Sequence, residues 1–158
     1  VLHLASFEKS NLSGAVVISS PIIIRDPYGK YLFLLPLINK INNLVKSFSG
    51  RENGFINFIK SEPENLQINY KHMPLKGIYE LMKLINTLRR ELKDVSCPIL
   101  IMHADKDYEI DPESARIIYN SVKSSQKTLY FVKASNHVII NGNNPDIIEK
   151  ILDFLKAQ

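Results

Sequence analysis

Only one cysteine, Cys97, occurs in the 158 residues, so no internal disulfide can form. Nothing in the composition therefore calls for an oxidising compartment, and the expected setting is the cytoplasm. Long hydrophobic runs are missing too. The nearest approach, Tyr31 to Ile38, is broken by Pro36 and falls well short of the roughly 20 residues a helix needs to cross a bilayer. With 6 glycines and 8 prolines the chain is neither collagen-like nor a linker. Excess charge of one sign is small: 20 basic against 16 acidic residues leave a formal +4. The basic residues are spread from Lys9 to Lys156, and the densest group, Arg89, Arg90 and Lys93, is interleaved with Glu91 and Asp94. That pattern is a solvated helix face, so nucleic acid is not expected as a partner. What remains is ordinary globular material, 45% hydrophobic and 23% charged, at a length that suits one domain.

The chain opens on Val1 rather than Met and runs directly into Leu2-His3-Leu4-Ala5-Ser6-Phe7, helix-like residues with no capping side chain ahead of them. It has neither the basic start nor the cleavage site of a signal peptide. The expectation is a chain cut from something longer.

Three short apolar runs read as strands buried on both faces: Gly14 to Ile18, Ile99 to Met102 and Thr128 to Val132. Between the second and third, Asp111 is a good N-cap and Pro112 fits the first helical position. Ala115, Ile118, Tyr119 and Val122 then make one apolar stripe. Strand, helix and strand in this order predict parallel pairing. A closing helix is capped by Asn144, starts at Pro145, and is expected to bury Ile147, Ile148, Ile151, Leu152 and Leu155.

The segment from Ile22 to Asp94 is too long for a simple crossover. Its tail, Leu75 to Lys93, carries Ile78, Leu81, Met82, Ile85, Leu88 and Leu92 at helical spacing. Its front half is apolar and aromatic, and such an insertion either packs on the sheet or forms a lid over a cleft. The expected organisation is 1–21 as a helix end and first strand, 22–94 as a helical cap insertion, and 95–158 as a C-terminal core.

In a doubly wound sheet, ligands sit at the carboxyl ends of the strands. Two loops leave strand ends with acid–base residues: His103-Ala104-Asp105-Lys106-Asp107 after the second strand, and Ser135-Asn136-His137 after the third. An Asp and then a His after successive strands is the chain order of the α/β-hydrolase triad beyond its nucleophile, Ser…Asp…His. The histidine needs a carboxylate that fixes one tautomer and stabilises the imidazolium formed when it takes the serine proton.

From about Leu75 onward the sequence resembles the C-terminal half of a carboxylesterase or monoacylglycerol-lipase-like α/β-hydrolase. The resemblance rests on Cys97 to Asp107, on Asp111-Pro112-Glu113-Ser114-Ala115 and on Ser135-Asn136-His137-Val138-Ile139. Val1 to Ala5 resembles the helix after the family's Gly-x-Ser-x-Gly-Gly elbow, and Gly14 to Ile18 the strand that follows. The resemblance implies an α/β fold: part of an α/β-hydrolase with three parallel strands, flanking helices and a helical cap. It implies Asp107 as triad acid and His137 as triad base, in a serine hydrolase acting on short or medium acyl esters without a cofactor. Tyr31, Phe33, Leu35, Phe55 and Phe58 are expected to line an apolar substrate cleft. Two departures stand out. Asn136 replaces the glycine usual before the histidine, a mild change because Asn tolerates left-handed backbone. No Gly-x-Ser-x-Gly occurs in the 158 residues, so the nucleophile is expected upstream and the chain alone is expected to be inactive.

Other residues have plainer readings. Asp105 competes with Asp107, but the spacing to Ile110 and Asp111 favours Asp107 and leaves Asp105 in the turn. His103 reads as a packing or loop residue, and Ser19 and Ser20 lack a glycine-flanked elbow. His3 and His72 have no companions at metal spacing, so no metal site is expected. Cys97 reads as buried, and Asn11-Leu12-Ser13 as an accidental glycosylation sequon. The sequence leaves one alternative open: a non-catalytic α/β-hydrolase-like fragment that binds an apolar ligand or partner.

Overall fold

The computed structural model describes residues 1–8, 12–25, 34–49, 58–60, 72–141 and 144–158. The chain divides into two compact units, one of Val1–Asp26 with Ile85–Gln158, the other of Pro27–Leu84.

The first unit is built on a parallel sheet. Strands β1 (Ala15–Ile18), β4 (Ile99–Ala104) and β5 (Lys127–Val132) lie in the order β1-β4-β5. Ala15 is in register with Ile99, and Ile99 with Lys127. The central strand β4 is buried at all six positions, as a continuous apolar run between two covered faces requires. Alternation sends its side chains to opposite sides. Ile99 and Ile101 join Leu2, Ala5, Val17, Leu88, Leu92, Ala115 and Ile118 in one core, whereas Leu100, Met102 and Ala104 join Val132, Ile139 and Ile147 in the other.

Helix α1 (Leu2–Phe7) and helix α4 (Glu113–Ser121) supply the first core. Helix α4 begins one residue later than expected, at Glu113 with Pro112 in the cap position, and Asp111 Oδ1 accepts from the Glu113 N–H at 2.9 Å just ahead of it. The expected stripe is largely inside: Ala115, Ile118 and Val122 are buried and Tyr119 packs against them.

Helix α5 (Pro145–Lys156) covers the second core, but its buried face differs from the expected one. Ile147, Ile151 and Phe154 face inward, while Ile148, Leu152 and Leu155 are 58%, 47% and 56% exposed. Ile147, Ile151 and Phe154 form one i, i+4, i+7 stripe and Ile148, Leu152 and Leu155 the next, about 100° round the helix, so the two cannot both face the sheet. At Gly14 a Cβ would stand 2.9 Å from the Phe154 ring, so the bare glycine leaves room for the aromatic of the inward stripe.

The second unit contains helix α2 (Leu35–Ser49), an antiparallel pair of short strands β2 (Phe58–Lys60) and β3 (His72–Pro74), and the first part of helix α3 (Leu75–Glu91). Helix α2 leaves Leu37, Ile41, Leu44 and Phe48 exposed at helical spacing along one face. Among the described residues, no helix is long and apolar enough to cross a membrane.

Candidate active site

Parallel strands bring their exit loops to one rim, and in this sheet the β4 and β5 exits are tied together. The Asp105 N–H donates to the Val132 carbonyl at 2.9 Å and the Lys106 N–H to the Ala134 carbonyl at 3.1 Å. Asp105 Oδ1 accepts from the Ala134 N–H at 3.1 Å. That is the turn role its position predicts, and it aligns the two loops.

Asp107, two residues on, is wholly buried. Its Oδ1 accepts the N–H groups of Glu109 and Ile110, both at 2.9 Å, an Asp-centred turn that fixes the carboxylate. Its Oδ2 accepts from Nδ1 of His137 at 2.8 Å. The carboxylate thus sets the His137 tautomer: the hydrogen sits on Nδ1 and the lone pair on Nε2, the atom that can act as base. The His137 side chain is 26% exposed while its partner is 0% exposed, so a dry carboxylate holds an imidazole that is itself partly open to solvent.

The acid loop is stapled from outside. Ile24 bridges Ile110, the Arg25 N–H donates to the Glu109 carbonyl at 2.7 Å, and the Asp111 N–H to the Ile23 carbonyl at 2.9 Å. Arg25 Nη1 reaches the Asp107 carbonyl at 3.3 Å, and its Nε pairs with Asp111 Oδ2 at 2.9 Å. The Glu113 N–H, and then Arg25, hold the Asp111 carboxyl below the usual carboxylate range.

Two residues belong to this site in a way the sequence did not reveal. Ser19 leaves β1 with φ 48°, and its hydroxyl donates to the His137 carbonyl at 2.9 Å. A doubled serine at a strand end was the available signal. His103, on β4, is fully buried with Nε2 3.3 Å from Asp107 Oδ2. Its place four residues before Asp107 was visible, but its direction was not.

The remaining candidates fall elsewhere. Tyr31, Phe33 and Phe55 lie outside the described residues. Leu35 and Phe58 open α2 and β2, but their side chains are outside the described set. His3 is engaged with Glu91 at 2.6 Å. Cys97 is buried, and burial pushes its thiol up. Among the described residues, no group of three or more His, Cys, Asp or Glu side chains could hold a metal ion.

Known proteins are similar to this chain in sequence or in fold. The family described as Hydrolase_4, serine aminopeptidase S33, matches residues 1–144. A thermostable monoacylglycerol lipase of Bacillus sp. (strain H-257) is 29% identical over 93 residues, covering 58% of this chain and 37% of that protein. A carboxylesterase of Bacillus subtilis (strain 168) is 29% identical over 103 residues, covering 63% of this chain and 42% of its own. The matches thus span about two fifths of these relatives' length. Among solved structures, one from a study of the metagenome-derived lipolytic enzymes LipS and LipT superposes with a TM-score of 0.73 at 23% identity, over 99% of this chain and 60% of the other. A soluble variant of monoglyceride lipase from Saccharomyces cerevisiae gives 0.68 at 16% identity, over 99% and 59%.

Proposed function

Because the chain belongs to the Hydrolase_4 (serine aminopeptidase, S33) family and has part of the α/β-hydrolase fold, we propose that it carries the acid and base of a serine-dependent carboxylic ester hydrolase. The observation that supports this reading is the buried Asp107 carboxylate on His137 Nδ1 at 2.8 Å. In this reading His137 Nε2 takes the proton from a serine hydroxyl as it attacks the ester carbonyl. Asp107 stabilises the imidazolium, which then protonates the leaving alcohol. Water releases the acid by the same route in reverse. The serine belongs to a segment outside these 158 residues, in the chain order Ser…Asp…His.

The acyl chain is assigned to the apolar side chains of segment 22–94, with Tyr31, Phe33, Leu35, Phe55 and Phe58 as its enclosure. Sequence chemistry supports that assignment: burying each methylene gains about 0.8 kcal/mol, which favours acyl chains of several carbons over acetate until the enclosure is full. The cytoplasmic setting keeps its support in the single, buried cysteine.

The test is ester hydrolysis by the serine-bearing full-length protein. Asp107→Asn and His137→Ala are each expected to lower turnover by ~10⁴-fold, with circular dichroism unchanged. Near-normal turnover in either would overturn the assignment.

A further inference from the structure

Two histidines stand against the Asp107 carboxylate, and their surroundings are opposite. His137 approaches Oδ2 at 2.8 Å from the β5 exit with its ring partly open to solvent. His103 approaches the same oxygen at 3.3 Å from inside the sheet, with its side chain 1% exposed. Nε2 of His103 faces two acceptors, Asp107 Oδ2 and the Ile110 carbonyl at 3.4 Å, so the hydrogen resides on Nε2. Its other nitrogen, Nδ1, is buried and has no hydrogen-bond partner among the described residues. An imidazolium carries a hydrogen on both nitrogens, and here the second would be buried with no acceptor among the described residues.

We propose that His103 is a positioning residue for the Asp107–His137 pair: a neutral Nε2–H imidazole that braces the Asp107 turn through the Ile110 carbonyl and leaves proton uptake at this carboxylate to His137. Ile110 is the link. Its N–H holds Asp107 Oδ1 at 2.9 Å while its carbonyl receives His103. A charged His103 beside Oδ2 would repel the imidazolium that His137 must form, and would spend the carboxylate on the wrong ring. Burial acts in the same sense, moving the His103 imidazole below its ordinary value against the opposing pull of the Ile110 carbonyl and Asp107. The other titratable groups acting on the ring are His137 and Asp111, the latter paired with Arg25.

The inference rests on the reading of Asp107 and His137 as acid and base, and it is tested without turnover. In the ¹⁵N-labelled, serine-bearing full-length protein, ring-nitrogen shifts report tautomer and charge directly. His103 is expected as a neutral Nε2–H ring that does not titrate between about pH 5 and 8. A charged or Nδ1–H ring there overturns the proposal. Two substitutions then test the brace: His103→Leu removes the donor, and His103→Gln keeps an N–H near the place of Nε2. The Ile110 amide is expected to exchange ~10-fold faster in His103→Leu and within about twofold of wild type in His103→Gln, with the Ile101 amide unchanged. Equal Ile110 exchange in all three chains overturns the brace. The tautomer needs no substitution, so it decides the proposal even if His103→Leu fails to fold. Loss of the ester-hydrolase reading, with these signatures intact, leaves the His103 assignment standing as a property of the Asp107 turn.

Discussion

The hydroxyl of Ser19 donates to the carbonyl of His137 across 2.9 Å, joining residues 118 positions apart. The bond fixes the backbone that carries the imidazole, and Ser19 makes it from a left-handed conformation. Two substitutions separate these effects. Ser19→Ala keeps the strained backbone and loses the bond, for an expected cost of about 1 kcal/mol. Ser19→Gly loses the same bond but relieves the backbone by a similar ~1 kcal/mol, so it should lie nearer wild type. Urea midpoints measured side by side check the order.

Asp107 has a structural task as well as its proposed chemical one. Asp107→Ala leaves the Glu109 and Ile110 N–H groups without their acceptor, an expected loss of about 2–5 kcal/mol in denaturant unfolding. Asp107→Asn retains an Oδ1 and should cost less than half of that. It nevertheless presents an N–H₂ to His137 Nδ1, a donor facing a donor, so the imidazole must change tautomer. Stability and turnover should therefore respond differently to the two substitutions.

Stability should also depend on pH through His103. Because its folded-state pKa is lowered, the unfolded chain binds a proton that the folded chain resists. The His103 contribution is complete above the unfolded value of about 6.5 and is lost as pH falls below it, until the folded value is reached. Asp111 acts in a separate window. Its lowered pKa gives stability above about pH 4 that disappears on further acidification. Denaturation curves of His103→Leu should fall less steeply than wild type below about pH 6.5, and those of Asp111→Asn less steeply only below about pH 4. Parallel curves would contradict both assignments.

On α5 the inward and outward stripes can be told apart by substitution. Ile147→Ala opens the second core and should destabilise by about 2–4 kcal/mol. Ile148→Gln, one position along on the exposed side, should stay within about 0.5 kcal/mol of wild type in this chain. Thermal or urea unfolding of the two variants decides.

How far the sequence could be read follows from how local each signal is. The β4 strand was legible because a strand buried on both faces is apolar at every position, whatever packs on it. The start of α4 was legible to within one residue because Asp111 and Pro112 act within one turn of chain. Asp105 and Asp107 lie two residues apart on one loop and differ in what they meet, Asp107 the His137 ring and Asp105 the Ala134 N–H. The α5 face was not legible because two adjacent stripes are both apolar, and which of them meets the sheet is decided by tertiary packing such as that of Phe154 on Gly14, 140 positions away in sequence. His103 and Ser19 were hidden for a related reason. Their partners, Ile110 and His137, come together only once three strands share a rim.

The parallel register of β1 against β4 carries a consequence for chain entropy. About 80 residues separate Ile18 from Ile99, against about 22 between Ala104 and Lys127, yet closing the longer loop costs only about 1 kcal/mol more, since the penalty grows with the logarithm of length. Residues can be added to or removed from the middle of that loop with almost no thermodynamic effect on the strands that hold Asp107, His137 and Ser19. The sheet therefore tolerates a variable insertion while the hydrogen bonds at its rim stay fixed, and the two parts of the chain are free to diverge at different rates.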